Sequence, residues 1–229
     1  MIELSVILPA YEEGESIRGV IEEVNREVSS EKEILVVVDS LDDSTCTRVK
    51  GLQGVHIILN EVGGFARAVE TGLMHAKGEY AVVIMADGSD QLSSLNEMLD
   101  RMRDKDEGFS GVDVVAPTRY GSGGKLIGAP WLKALFSRSV NRLAQFKGVP
   151  ISDSTNGFKM YRTSKICDLL TRSPIKTRKF AVSLEIVVKA WRNGFQFWEL
   201  PTVWTERTSG TSKFSFIKLG REYIELLLS

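Results

Sequence analysis

Cysteine is nearly absent from this chain: two in 229 residues, Cys46 and Cys167, far apart and without metal-ligand spacing. That excludes a disulfide scaffold and points to buried thiols in a reducing compartment. No stretch reaches the roughly 18 consecutive apolar residues of a membrane span. The opening, "MIELSVILPAYEE", has no basic n-region and turns acidic at once, which argues against a secretory signal. There is no G-x-x-x-x-G-K-(S/T), against a P-loop NTPase, and no G-x-G-x-x-G after the first strand, against a dinucleotide dehydrogenase. Internal repeats, low-complexity tracts and Pro/Gly linkers are also missing. What is there is 43% hydrophobic and 26% charged residues, enough for a sizeable globular core.

The net charge is only −1, but the charges are unevenly distributed. Residues 1–118 hold 10 Lys and Arg against 23 Asp and Glu, a net of −13; residues 119–229 hold 19 against 7, a net of +12. One reading is a solvated acidic half. The sharper one is an anion-handling surface on the second half, facing phosphate, nucleic acid or an anionic membrane.

Short apolar runs alternate with helical patterns through the first half. "IELSVIL", "EILVVV", "VHIIL", "AVVIM" and "VDVVA" read as strands. Between them, Ile17, Val20, Ile21, Val24 and Val28 share one helix face, and Phe65, Val69, Leu73 and Ala76 another. Strands apolar throughout, separated by amphipathic helices, predict a parallel sheet covered on both faces. Such sheets bind ligands beyond the carboxyl ends of their strands. Polar clusters stand there in order: "PAYEE" with Pro9, Tyr11 and Glu13; "DSLDDST" with Asp39 and Asp43; "NEVGGFARA" with Gly64; and "DGSD" with Asp87 and Asp90. Asp43 or Asp90 also suits a helix N-cap, and Gly63–Gly64 a plain turn. Asp39 is positioned to accept hydrogen bonds from a ribose or base. An acidic pocket repels an anionic nucleotide sugar unless a divalent cation lies between, and Mg²⁺ or Mn²⁺ takes one or two carboxylates plus phosphate oxygens. Asp87 and Asp90 are therefore candidate metal ligands on a diphosphate leaving group.

The second half supplies cations. A Gly-rich loop carries Arg119 and Lys125. The helix after it has an apolar stripe of Leu132, Leu135, Phe136, Leu143 and Phe146, with Arg138 and Arg142 one turn apart on another face. "DSTNGFKMYR" reads as a tight turn, with Asp153, entering a strand. Glu185 sits on the first turn of a helix that ends at Gly194. "ERTSGTSKFS" gathers Arg207, Ser212 and Lys213 around a glycine, a candidate phosphate clamp. The last segment places Phe216, Leu219, Tyr223, Leu226 and Leu227 on one stripe, which suits either core packing or a lipid-facing amphipathic helix.

In this order, these elements resemble family 2 glycosyltransferases of the dolichol-phosphate mannose synthase-like branch, over roughly residues 3–216. "VILPAYEE" is similar to V-x-P-x-Y-N-E, with Glu12 in place of Asn. "VVVDSLDDST" resembles V-V-D-D-G-S-x-D-x-T, with Val38 where the first Asp stands. "GGFARAVETG" resembles G-x-G-x-A-x-x-x-G. "TRYGSGG", "SRSVN", "DSTNGFKMYR" and "RTSGTSKF" resemble S-R-Y-x-x-G-G, S-R-x-x-N, D-x-T-x-G-F-K-x-(F/Y)-R and R-x-x-G-x-S-K-(F/L). The main departure is "DGSD" in place of D-x-D, which leaves the completing ligand to Asp90 or Gln91.

The resemblance implies an α/β fold of the glycosyltransferase A type, a Rossmann-like, mostly parallel sheet with helices on both faces. It implies one domain, 1–229, with a nucleotide-sugar half at 1–118 and an acceptor half at 119–229. Pro9, Tyr11, Glu13, Asp39, Asp43 and Gly64 would contact the donor nucleotide, and Arg207, Ser212 and Lys213 would close on its phosphates. Asp87, Asp90 and Gln91 would hold Mg²⁺ or Mn²⁺. Arg119 and Arg138 would meet the acceptor phosphate, with Asp153 and Glu185 on the acceptor side. The implied reaction is an inverting transfer of a hexose from GDP-mannose or a UDP-hexose to a polyprenyl or dolichyl phosphate. It would take place at the cytoplasmic face of a membrane, with the enzyme bound peripherally and a membrane subunit as one way to reach the lipid. Nucleic acid is not an expected partner, because the basic half lacks a recognisable motif. The alternatives are a family 2 enzyme acting on a saccharide hydroxyl, with Asp153 or Asp90 as base; a nucleotidyltransferase; and a nucleotide-sugar-binding protein without catalysis.

Overall fold

The computed structural model describes residues 1–104, 111–206, 222–223 and 225–227. Seven strands form the main sheet: β1 (Leu4–Pro9), β2 (Lys32–Val38), β3 (Val55–Leu59), β4 (Tyr80–Val83), β5 (Val114–Thr118), β7 (Lys159–Arg162) and β8 (Phe197–Pro201). A small second sheet pairs β6 (Lys125–Ile127) with β9 (Val203–Thr205). The helices are α1 (Ser16–Glu27), α2 (Ser44–Val49), α3 (Phe65–His75), α4 (Leu95–Arg103), α5 (Trp131–Phe146), α6 (Thr163–Arg172) and α7 (Val182–Arg192).

The main sheet runs β3-β2-β1-β4-β7-β5-β8. Strands β1 to β4 are parallel, and β5 is parallel to β8. β7 runs antiparallel to both of its neighbours, with Val82 opposite Met160 and Val115 also opposite Met160. A strand from the basic half thus sits between two strands of the acidic half, and brings the "DSTNG" turn beside the end of β4.

Both faces of the sheet are buried, which is why its strands are apolar at almost every position. Leu4, Val6 and Leu8 of β1 face α1 and α4, packing with Ile17, Val20, Ile21, Val24, Leu95, Met98 and Leu99. Ile7 faces the other way, with Val69 and Leu73 of α3 and Ile166 and Leu169 of α6. Gly72 lets α3 lie directly on the sheet: a Cβ there would stand 2.3 Å from Ile7 Cγ2 and 3.2 Å from Val37 Cγ2. A third cluster joins α5 and α7 through Val140, Ala144, Leu184 and Val187, with Tyr223 and Leu227.

Two apolar stripes end up differently from a simple periodic reading. Of the C-terminal stripe, Tyr223 and Leu227 are buried, and the Tyr223 hydroxyl donates to the Phe180 carbonyl at 3.1 Å. Core packing accounts for both; Phe216 and Leu219 lie outside the described residues. The α5 stripe does the reverse. Leu132, Leu135, Leu143 and Phe146 are exposed, Phe136 alone of the stripe is half-buried, against Tyr223, and the helix buries Val140, Asn141 and Ala144 instead. Among the described residues no helix is long and apolar enough to cross a membrane.

Candidate active site

The loops after β1, β2 and β3 are laced together by two carboxylates. Asp43 caps α2 by accepting from the Thr45 amide at 2.8 Å. It also accepts the Glu12 amide at 3.1 and 3.2 Å, while the Thr45 hydroxyl accepts the Glu13 amide at 3.1 Å. Glu12 is held at φ 53, among the described residues the only non-glycine in the left-handed region. Such strain persists only where the surroundings fix it. Asp43 therefore positions the "PAYEE" loop, beyond Pro9, where Tyr11 is about half exposed. Asp39 does the same for the next pair of loops, accepting Asn60 Nδ2 at 2.6 Å and the Gly64 amide at 2.8 Å. Gly64 starts α3 at φ 91, a conformation that a side chain resists, and has no side-chain cap. The exposed Asp39 carboxylate retains lone pairs for further donors.

β4 delivers the two acids of "DGSD". Asp87, half-buried, accepts the Ser89 amide at 3.1 Å. Asp90 turns inward and accepts the Met85 amide at 2.9 Å. Burial, and to a lesser degree the Asp87 charge, push its carboxyl up to about 7. Gln91, the other expected ligand, is engaged elsewhere in the absence of a metal. Its side-chain oxygen accepts the Val203 amide of β9 at 2.8 Å, and its nitrogen donates to Ser93 Oγ at 3.1 Å. Among the described residues no group of three or more His, Cys, Asp or Glu is gathered to hold a metal. From the described residues a cation here would have the two carboxylates Asp87 and Asp90, which suits Mg²⁺ or Mn²⁺ completed by phosphate oxygens. Its charge would favour the ionised form of Asp90 and bring that carboxyl back down.

The cationic side is built on one buried ion pair. Arg119, just past β5, donates to Asp153 through Nε at 2.7 Å, Nη2 at 2.9 Å and its amide at 3.1 Å. Asp153 also accepts from Asn141 Nδ2, Thr155 Oγ1 and the Asn156 amide, at 3.1–3.2 Å. Burial works against both charges, but the pairing outweighs it: Asp153 is held below the usual carboxylate range and Arg119 above its ordinary value. A fully buried carboxylate that accepts six hydrogen bonds and is held below its ordinary range is poorly suited to take up a proton. It holds the guanidinium of Arg119 in place. Glu185 is likewise structural. It accepts the Lys176 and Thr177 amides at 2.8 Å each and pairs with Lys189 at 2.8 Å, which anchors the loop before α7.

Beside this pair lies a polar cavity of about 380 Å³, lined by Arg119, Tyr120, Gly124, Arg138, Asn141, Arg142, Gln145 and Ser152. The Arg119 and Arg138 guanidiniums sit 5.3 and 5.5 Å from the Tyr120 ring centre, a cation–π arrangement that keeps both near the cavity. Arg138 and Arg142 are exposed and have no carboxylate partner among the described residues. The cavity thus brings together the predicted Arg119 and Arg138 and adds Arg142 and Tyr120. Arg207, Ser212 and Lys213 lie outside the described residues.

Sequence reasoning missed two groups, one fully buried and one half-buried. Lys159 on β7 is fully buried, donates to the Asn156 carbonyl and to Ser183 Oγ, and is pushed down to about 8 by burial. Glu199 on β8 accepts the Ser152 amide at 2.7 Å and the Ser152 hydroxyl at 2.8 Å, so it holds the turn that carries Asp153. A charged residue interrupting an apolar strand was the available signal for both.

An acidic strand edge facing an arginine-lined cavity, on this sheet order, is the architecture of a glycosyltransferase of the A type. The Glycosyl transferase family 2 model matches residues 5–170, and the chain belongs to that family. Among characterised proteins it is 28% identical over 220 residues to a polyprenol monophosphomannose synthase of Mycolicibacterium smegmatis, covering 92% of this chain and 80% of that protein. It is 25% identical over 230 residues to a dolichyl-phosphate hexose transferase of Haloferax volcanii, covering 99% and 94%. These relatives fall in the dolichol-phosphate mannose synthase-like branch. The fold matches glucosyl-3-phosphoglycerate synthase from Mycobacterium tuberculosis, solved with Mn²⁺, UDP and glucosyl-3-phosphoglycerate, at a TM-score of 0.70 and 16% identity, over 99% of this chain and 79% of that one. The same protein solved with Mg²⁺ and UDP gives a TM-score of 0.69, at 16% identity over 99% and 78%.

Proposed function

We propose that this glycosyltransferase moves a hexose from GDP-mannose or a UDP-hexose onto a polyprenyl or dolichyl phosphate, with inversion, while bound peripherally at the cytoplasmic face of a membrane. The observation that carries the reading is the cavity in which Arg119, Arg138 and Arg142 converge, with Arg119 near enough to Asp90 at the acidic end of β4 for their charges to interact. Three guanidiniums, only one of them neutralised by a carboxylate among the described residues, suit a phosphate monoester rather than a neutral sugar hydroxyl.

The acids at the β1, β2 and β4 ends would receive the donor. Asp39 and the loop held by Asp43 would contact the nucleoside, and Asp87 and Asp90 would hold Mg²⁺ or Mn²⁺ on the diphosphate. The ion would supply charge stabilisation to the leaving diphosphate. An acceptor phosphate has a second pKa near 6, so it is already largely a dianion at neutral pH. Arg138 and Arg142 would hold it in line with the anomeric carbon, and the rigid Arg119 would fix its orientation. One phosphate oxygen then bonds to the anomeric carbon as the bond from that carbon to the diphosphate oxygen breaks. The electron pair leaves with the nucleoside diphosphate, and no proton needs to be removed. The commitment of Asp153 to Arg119 supports this base-free reading.

Transfer to a saccharide hydroxyl is the second reading, and the carboxyl of Asp90, near 7, is the observation in its favour. The test measures nucleoside diphosphate release from a panel of GDP- and UDP-sugars, with and without Mn²⁺ or Mg²⁺, and with a short polyprenyl phosphate, a panel of saccharide acceptors or neither. Release that needs both metal and lipid phosphate, and disappears in Asp87→Ala, supports the proposal. Release driven by a saccharide acceptor, with a carboxylate limb in the pH profile that is lost in Asp90→Asn, overturns it. Binding of a nucleotide sugar without any release would overturn both readings.

A further inference from the structure

One oxygen holds both the turn and the loop from which the arginine cavity is built. Glu199 on β8 is half-buried and is not among the residues that line the cavity. Its Oε1 accepts the Ser152 amide at 2.7 Å, the Ser152 hydroxyl at 2.8 Å and the Asp153 amide at 3.3 Å. Ser152 Oγ lies 2.6 Å from Thr118 Oγ1. The serine has one hydroxyl proton and gives it to Glu199, so the threonine donates in this pair. The Thr118 oxygen is left to accept, and it takes the Tyr120 amide at 3.2 Å and the Gly121 amide at 3.1 Å. A second branch leaves the same Glu199 oxygen. The Asp153 backbone hangs on it, and the Asp153 carboxylate accepts the Arg119 amide at 3.1 Å and Arg119 Nε at 2.7 Å. The amides of Arg119, Tyr120 and Gly121 thus all trace back to one carboxylate oxygen.

The loop is packed against this relay without slack. A Cβ at Gly121 would stand 2.8 Å from Thr118 Cγ2, and one at Gly124 would stand 2.5 Å from the Thr118 carbonyl oxygen. The loop is therefore folded back onto Thr118 with no room for a side chain at either glycine. It forms one wall of the cavity through Arg119 and Tyr120, with Ser152 beside them. Arg138 and Arg142 of α5 form the facing wall. A shift of the turn at Ser152 and Asp153 would carry the loop with it and change the separation of the two walls. A phosphate gripped by arginines from both walls would then sit out of line with the reacting carbon.

We infer that Glu199 is a positioning residue for the acceptor: through Ser152, Asp153 and Thr118 it sets where the 119–121 loop stands relative to the arginines of α5. It touches no reacting atom. Its role is that of an oxygen acceptor for three converging donors, and its charge takes no part in the chemistry. The identity of the acceptor rests on the lipid-phosphate reading above; the placement of Arg119 by Glu199 does not.

The test compares Glu199→Gln, whose amide oxygen can accept the same three bonds, with Glu199→Ala, which can accept none. Thr118→Val removes the hydroxyl in the middle of the relay at nearly constant volume, and keeps the inference testable if Glu199→Ala does not fold. Three quantities are measured in the full chain: kcat/KM for a short polyprenyl phosphate, nucleotide-sugar affinity by calorimetry, and the Arg119 Nε–H resonance, assigned with Arg119→Lys. Glu199→Gln should stay within about threefold of the wild type in kcat/KM and leave the resonance in place. Glu199→Ala and Thr118→Val should each lower kcat/KM by about 10–100-fold at unchanged donor affinity, and move the resonance. Combined in one chain, they should lose little more than the larger single loss, because both break the same relay. A loss in Glu199→Gln as large as that in Glu199→Ala overturns the inference, since the charge would then be the active element. So do losses that multiply in the double variant, donor affinity that falls in step with turnover, or a Glu199→Ala variant with wild-type kcat/KM and an unmoved resonance. If the wild type neither binds nor glycosylates the lipid phosphate, while the Arg119 resonance moves in Glu199→Ala and not in Glu199→Gln, the acceptor reading fails alone and the positioning role stands.

Discussion

Asp153→Asn separates a carboxylate that holds a cation from one that moves a proton. The substitution preserves volume but replaces an acceptor oxygen with a donor, facing the Nε and Nη2 donors of Arg119 at 2.7 and 2.9 Å. It leaves a buried guanidinium without its counter-charge and weakens six hydrogen bonds at once. Breaking one side of a buried pair costs about 3–5 kcal/mol. For a domain of this size that lowers the melting temperature by about 6–20 °C. The pH dependence has a definite sign. The folded pKa of Asp153 is depressed, so its contribution is fully present above the ordinary carboxylate range and is lost as pH falls through the folded value. Denaturant unfolding of wild type and variant, from neutral to acid pH, should show a large gap at pH 7 that narrows below about pH 4. If the variant unfolds within about 1 kcal/mol of the wild type while turnover collapses, Asp153 acts in the chemistry and the account of the ion pair is wrong.

Gly72→Ala should destabilise by about 1–3 kcal/mol in denaturant unfolding, because its methyl group meets Ile7 at 2.3 Å. Arg138→Ala and Arg142→Ala should each raise the KM for the phosphate acceptor by about 10–100-fold, the loss of one charge-assisted hydrogen bond, and leave donor binding unchanged in calorimetry. An equal loss of donor affinity would reassign the cavity. Lys159 has a folded pKa of about 8 against an ordinary 10.5, so between these values the unfolded chain holds the extra proton. Wild-type stability relative to Lys159→Met should therefore rise with pH through that window, and a difference that is flat with pH would refute the burial argument.

Much of the donor side is legible in the sequence. The strands of the acidic half announce themselves because burial on both faces makes nearly every position apolar, and the polar residues that follow each run must then share one edge. Asp39, Asp87 and Gly64 stand out for that reason. Their exact partners do not, because Asp39 reaches 21 residues to Asn60 and 25 to Gly64. The role of Asp43 divides similarly: a cap for its own helix is a local fact, while its hold on Glu12 depends on two loops meeting. The engagements of Gln91 and Glu185 are hidden from the sequence for the same reason. In each, a side chain in a plausible motif is engaged by a backbone amide from elsewhere, 112 residues away in the case of Gln91.

By itself the sequence determined the alternation of strands and helices, the order of the acidic clusters and the separation of charge between the halves. These rest on periodicity and neighbouring residues, which the chain encodes locally. Only the tertiary structure decided that β7 enters the sheet antiparallel between β4 and β5, that Asp153 neutralises Arg119, and that Lys159 is buried. Each depends on contacts between segments tens of residues apart, on which local pattern is silent. The same holds for the two apolar stripes of the basic half. Periodicity states which residues share a helix face; whether that face is covered depends on what else folds against it. Tyr223 and Leu227 found the core, and Leu132, Leu135 and Phe146 did not.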